Sequence, residues 1–231
     1  MTIINHTYGF VFIHIPKNAG TSVGMALAPL TTYRDLELGA TDLGQALAPQ
    51  FRKRFGIGKH ATLREVLDVI GPADAARYRT FCVTRDPFDR VASMFSFLRR
   101  WTTWHELPTY RAHVPEFLEC RDVDEFVASR FFATPGPDRL FLPQMEWIRG
   151  PEDDRIGVDR LLTIHDLERG LLSFLGEIGV PGHAIQDVRV VIANDSPASG
   201  SRDRFSERSV GIIRSRYAAD FDALGYAPTP P

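Results

Sequence analysis

Two short stretches of this sequence bring together strand-forming residues, a turn and groups able to hold an anion. The first is FIHIPKNAGTS, residues 12–22: an apolar run stops at Pro16, then come Lys17, the small residues Asn18, Ala19 and Gly20, and the hydroxyls of Thr21 and Ser22. A loop between a strand and a helix exposes amide N–H groups at the positive end of the helix dipole. That is a phosphate site in the making, and Lys17 adds a mobile cation to it. The second stretch is FCVTRDPFDRVASMF, residues 81–95, which sets Arg85 at the end of a strand and Ser93 two helical turns further on. At 100° per residue, Arg90 and Ser93 fall away from the stripe of Phe88, Val91, Ala92 and Phe95, so packing does not require them. An arginine fork beside a hydroxyl suits a phosphate dianion. Each stretch also has a plain reading: a strand–turn–helix connection with an exposed lysine, and an Arg–Asp surface pair on an amphipathic helix.

The elements around these motifs alternate. Tyr8–Ile15 reads as a buried strand and a helix follows from Thr21, with Val23, Ala26, Leu27 and Leu30 at helical spacing. TLRE at 62–65 is a capping box that opens a helix stopped by Gly71 and Pro72. Tyr78–Thr84 is a second strand, and Asp86 caps the next helix with Pro87 at its first position. Asp124–Phe132 reads as helix, Leu161–Ile164 as a third strand, Asp166–Ile178 as helix, Val188–Ala193 as an apolar run and Ser206–Leu224 as one closing helix. Residues 31–58 are mixed and carry no clear assignment. Alternating strands and helices predict an α/β protein of three layers, with a mainly parallel central sheet flanked by helices.

With 231 residues and 44% hydrophobic content, the chain is long enough for one full core that buries about 70% of its unfolded surface. A net charge of −2 argues against nucleic acid as a partner. Lysine is scarce: Lys17, Lys53 and Lys59 are the only ones. Two cysteines, Cys82 and Cys120, make neither a disulfide framework nor a zinc cluster. No signal peptide is visible, and no apolar run approaches the roughly 20 residues of a membrane span. The expectation is a cytoplasmic protein with a single domain over residues 1–226 and a disordered tail at 227–231. No heptad or interface stripe assigns an oligomeric state.

The first motif resembles the 5′-phosphosulfate loop of the sulfotransferases, in particular sulfotransferase family 2, the carbohydrate and bacterial branch. The second resembles that family's 3′-phosphate motif, R-x-P-x-x-R-x-x-S. FLPQMEWI at 141–148 is similar to the family's Pro-Gln segment, and RYAADFDALGY at 216–226 to its closing helix. LLTIHDLE at 161–168 departs from the pattern, with His165-Asp166 where Glu-Asn is usual. The resemblance implies a P-loop NTPase-like sulfotransferase fold and 3′-phosphoadenosine 5′-phosphosulfate as donor, with 3′,5′-bisphosphoadenosine as product and no metal. Carried over, Lys17, Asn18, Ala19, Gly20, Thr21 and Ser22 hold the 5′-phosphosulfate. Arg85 and Ser93 hold the 3′-phosphate, with Arg90 in support. Arg202 and Arg204, in the loop 194–204, are candidates to close over the donor, against the reading of a solvated surface loop.

Transfer to the hydroxyl of a carbohydrate or other hydroxylated metabolite needs a base. His60 is chosen because it sits just before the helix capped at Thr62, where imidazolium is disfavoured; a capping or buried structural histidine is the alternative. Family members are similar in carrying a Lys-His or Gly-His pair here. His14 reads as structural, and His105 and His113 as surface or acceptor-lining. Lys59 reads as a donor or acceptor contact or as solvated, and Trp101, Trp104, Tyr110 and Phe117 as core, with stacking on a sugar ring or an aromatic acceptor as the alternative. Two other functions stay open at this point. A P-loop-type kinase using Mg-ATP lacks its Walker lysine, because here lysine begins the loop instead of ending it. A non-catalytic nucleotide-binding module would keep Arg85 and Ser93 without needing Lys17 or His60.

Overall fold

The computed structural model describes residues 1–39, 41–100, 111–133, 139–191 and 205–231. In chain order the elements are β1 (Thr2–Asn5), β2 (Phe10–Ile13), α1 (Gly20–Leu27), β3 (Leu36–Leu38), α2 (Asp42–Phe55), α3 (Leu63–Ile70), α4 (Pro72–Ala75), β4 (Arg79–Thr84) and α5 (Pro87–Arg100). Then follow α6 (Val114–Glu119), α7 (Val123–Ala128), α8 (Arg130–Ala133), α9 (Met145–Ile148), β5 (Arg160–Thr163), α10 (Leu167–Glu177), α11 (Gly182–Ile185), α12 (Glu207–Arg216) and α13 (Ala218–Leu224). They divide into two compact units. One comprises Met1–Thr84 with Met145–Asn194, the other Arg85–Gln144 with Asp195–Pro231.

The first unit holds a five-stranded sheet in the order β3-β1-β2-β4-β5. β2, β4 and β5 are parallel, but β1 runs antiparallel to both β2 and β3. The expected mainly parallel sheet is therefore corrected to a mixed one. The reason is chain length: four residues, His6–Gly9, separate β1 from β2, enough for a hairpin and far too few for a parallel crossover. Both faces of β2 are covered. Phe10 and Phe12 point one way, Val11 and Ile13 the other, and all four are wholly buried. Phe10 and Phe12 join a core with Phe81, Val23 of α1, and Leu171 and Phe174 of α10. The sequence reading of α3 is borne out in detail. Thr62 Oγ1 accepts from Glu65 N, and the Glu65 carboxylate accepts from Thr62 N at 2.8 Å.

The second unit is helical and has its own core, centred on Phe126, whose ring contacts those of Phe95, Phe117, Phe131, Phe132 and Phe141. Two expected helices are each broken in two here. The stretch 124–132 turns extended at Ser129, whose Oγ donates to Phe126 O and accepts from Phe132 N, closing α7 and opening α8. The closing helix breaks at Tyr217, which leaves helical geometry to bury its ring while its hydroxyl donates to Phe141 O. Among the described residues, no helix is long and apolar enough to cross a membrane.

Candidate active site

β2 and β4 are parallel neighbours, with Ile13 opposite Cys82, so both strands leave the sheet at the same end. The loop after β2 is held firmly. Asn18 N donates to Ile15 O at 3.2 Å, and its side chain Nδ2 donates to Val83 O at 2.8 Å, with Asn18 wholly buried. Two non-glycine residues of this loop, Lys17 and Ala19, adopt left-handed backbone angles, φ 72° and 56°. Each such residue costs about 1–3 kcal/mol and persists where surrounding contacts impose it, most often at ligand clamps. Ala19 is the N-cap of α1 and has no polar side-chain atom with which to cap it; the first turn of a helix carries the positive end of its dipole. Ser22 is buried at the start of α1, Thr21 is exposed and Lys17 half-buried.

Gly20 is fixed in identity by its neighbour. A Cβ there would lie 1.9 Å from His14 Nε2, deep inside van der Waals contact. His14 follows β2 and is buried, stacked on Phe12, and its Nδ1 accepts a short hydrogen bond from the Met1 α-amine. Its ring centroid is 4.6 Å from that of His60. His60 Nδ1 lies 3.5 Å from His14 O. A carbonyl only accepts, so this contact favours the tautomer with the proton on Nδ1. Burial lowers the pKa of both imidazoles well below the ordinary histidine value. For His60 the Met1 amine, Lys59 and Arg52 depress it further, while the bond to His14 O opposes them. Neutrality at His60 thus comes from burial first, with nearby cations assisting, and not chiefly from the helix start proposed from sequence. His14, read from sequence as structural, is the residue that links the loop to His60.

In the second unit, Arg85 is half-buried and immediately precedes Asp86, whose Oδ1 accepts from Phe88 N at 2.8 Å and caps α5 as expected. Arg90 and Ser93 do not project away from packing. Both are buried, at 1% and 5% exposure. The structure corrects the helical-wheel reading because α5 is enclosed on more than its apolar stripe. The Arg90 guanidinium donates to Leu142 O at 2.8 Å and Leu140 O at 3.2 Å and lies over the Tyr217 ring. Burial lowers its pKa. Gln144, seen in the sequence only as part of a Pro-Gln segment, bonds the backbone of Arg85.

Arg202 and Arg204 lie outside the described residues, as do Trp101, Trp104, His105 and Tyr110. His113 stacks on Phe131, 4.9 Å between centroids, and Phe117 belongs to the core. Lys59 is exposed, and its stem lies across Gly39. His165 occupies a short turn after β5, and Asp166 pairs with Arg169 instead of capping α10. Among the described residues, no group of three or more His, Cys, Asp or Glu could hold a metal ion.

The loop thus sets two left-handed residues, Lys17 and Ala19, between a strand exit and a helix start, with His14 linking it to His60. A family model described as the sulfotransferase family matches residues 1–227, and the chain belongs to that family. No curated protein and no solved structure matches it.

Proposed function

We propose that residues 1–226 act as one sulfotransferase domain that moves a sulfuryl group from 3′-phosphoadenosine 5′-phosphosulfate to a hydroxyl of a carbohydrate or other hydroxylated metabolite. In this reading the loop amides, Lys17, Thr21 and Ser22 receive the 5′-phosphosulfate. Arg85 and Ser93 receive the 3′-phosphate, with Arg90 holding the segment around them. The acceptor O–H gives its proton to His60 Nε2, the acceptor oxygen bonds to sulfur, and the bond from sulfur to the 5′-phosphate oxygen breaks in line. Negative charge grows on that departing oxygen, where Lys17 and the amides stabilise it. By analogy with phosphoryl transfer, positioning and charge stabilisation carry most of the catalysis. The reaction is placed in the cytoplasm, in keeping with two buried free cysteines.

The observation that supports this most is the loop itself: strained at Lys17 and Ala19, bolted to Val83 through Asn18, and backed through Gly20 by His14. The test is transfer from labelled donor to a panel of hydroxylated acceptors. Lys17→Ala and His60→Ala should each lower kcat by about 10²-fold or more, while His60→Ala keeps donor affinity. Full transfer activity in either variant, or lost donor binding in His60→Ala, would contradict the assigned roles.

A further inference from the structure

Arg85 stands where the ladder of β4 has ended, at Thr84, and where the helix of α5 has not yet begun, at Pro87. Its backbone N–H and C=O thus belong to neither element, yet both are bonded. Gln144 Oε1 accepts from Arg85 N at 3.0 Å, and Gln144 Nε2 donates to Arg85 O at 2.8 Å. A side-chain amide carries both a donor and an acceptor on one rigid plane, so it can clamp the two groups of one residue at once. Gln144 is wholly buried.

Its own position is fixed from two further sides. Gln144 N donates to Asp220 Oδ2 at 2.8 Å, and Asp220, at the start of α13, is also wholly buried. A bond to a carboxylate is among the stronger ones. Ahead of Gln144 in the chain, Arg90 of α5 grips the carbonyls of Leu140 and Leu142, and Tyr217 grips that of Phe141. The circuit closes within one unit: α5 holds segment 140–142, α13 holds Gln144, and Gln144 holds Arg85.

We infer that Gln144 is a positioning residue for Arg85, buttressed by Asp220, and that it sets the preference for a 3′-phosphorylated nucleotide. This rests on the reading of Arg85 as the 3′-phosphate ligand. A guanidinium on a wandering backbone spends binding energy on being ordered, while one held in place is ready before the ligand arrives. Gln144 touches no substrate group; it acts only through Arg85.

The experiment is calorimetric titration of the full chain with 3′,5′-bisphosphoadenosine and with adenosine 5′-monophosphate, which lacks the group in question. Arg85→Ala should weaken the bisphosphate and leave the monophosphate nearly unchanged. Gln144→Leu should do the same, by about tenfold for the bisphosphate. Asp220→Asn, which keeps an accepting oxygen without the charge, should have the same selectivity with a smaller loss, and it decides the matter if Gln144→Leu does not fold. In the double variant Arg85→Ala/Gln144→Leu the two losses should not add. If Arg85→Ala lowers the preference but Gln144→Leu and Asp220→Asn do not, or weaken both nucleotides equally, Gln144 is not a positioning residue. If Arg85→Ala itself leaves the preference intact, the 3′-phosphate assignment and this inference fall together.

Discussion

The proposed chemistry turns, at the residue scale, on one imidazole being neutral. His60 has its pKa lowered, first by burial, so its neutral form extends below the ordinary value of about 6.5. Protonation removes a general base. The account therefore predicts that kcat at saturating donor and acceptor stays level as pH falls from 8 through about 6.5 and declines only below it. An acid limb centred at or above that value would count against His60, or against its burial. The contact of His60 Nδ1 with His14 O favours the tautomer protonated on Nδ1, because a carbonyl only accepts. This residue was legible in the sequence from its place two residues ahead of Thr62. The cause of its lowered pKa was not, since that comes first from burial and then from Met1, Lys59 and Arg52, surroundings that only the folded chain supplies.

Among elements, the strand–loop–helix of β2 and α1 was legible because strong signals agree locally: β-branched and aromatic residues before Pro16, small residues after it, and a helical stripe beyond. The capping box of α3 and the Asp86 cap of α5 were equally local. Legibility failed where tertiary packing decides. β1 is only Thr2–Asn5 and β3 only Leu36–Leu38, too short for alternation to declare itself, and each exists because it pairs in the sheet. Ser129 and Tyr217 interrupt helices that a continuous apolar pattern predicted, because their side chains gain more by burying and bonding at a break. Arg90 sits off the apolar stripe but is buried, bonding carbonyls of a segment about 50 residues away in sequence. A prediction belongs at this scale. Gly20→Ala drives a methyl into the His14 ring at the first residue of α1, so the loop or the ring must move. Overpacking of this kind costs about 1–3 kcal/mol, and the displaced loop should lose bisphosphate affinity together with stability. Unchanged melting temperature and affinity in Gly20→Ala would show that the contact is not tight.

Across the whole molecule, the chain passes three times between two compact units, each with its own apolar cluster. The loop after β2 and His60 fall in the unit with the sheet, and Arg85, Ser93 and Gln144 in the helical one. Composition reads as one core of sufficient size; the second cluster is built from the helical insertion between β4 and α9 together with the C-terminal segment of α12 and α13, which a count of apolar residues does not distinguish. The central claim is that the ligand of this molecule is a doubly phosphorylated adenosine bound without magnesium. Thermal unfolding tests it most directly, with 3′,5′-bisphosphoadenosine, ADP and Mg-ATP compared at equal concentration. A ligand at a hundred times its Kd adds about 2.7 kcal/mol to stability, a rise of roughly 5–10 °C for a chain of this size. The account predicts that rise for the bisphosphate, with or without magnesium, and a much smaller one for ADP and Mg-ATP. An equal or larger rise with Mg-ATP, or none with the bisphosphate, would contradict it.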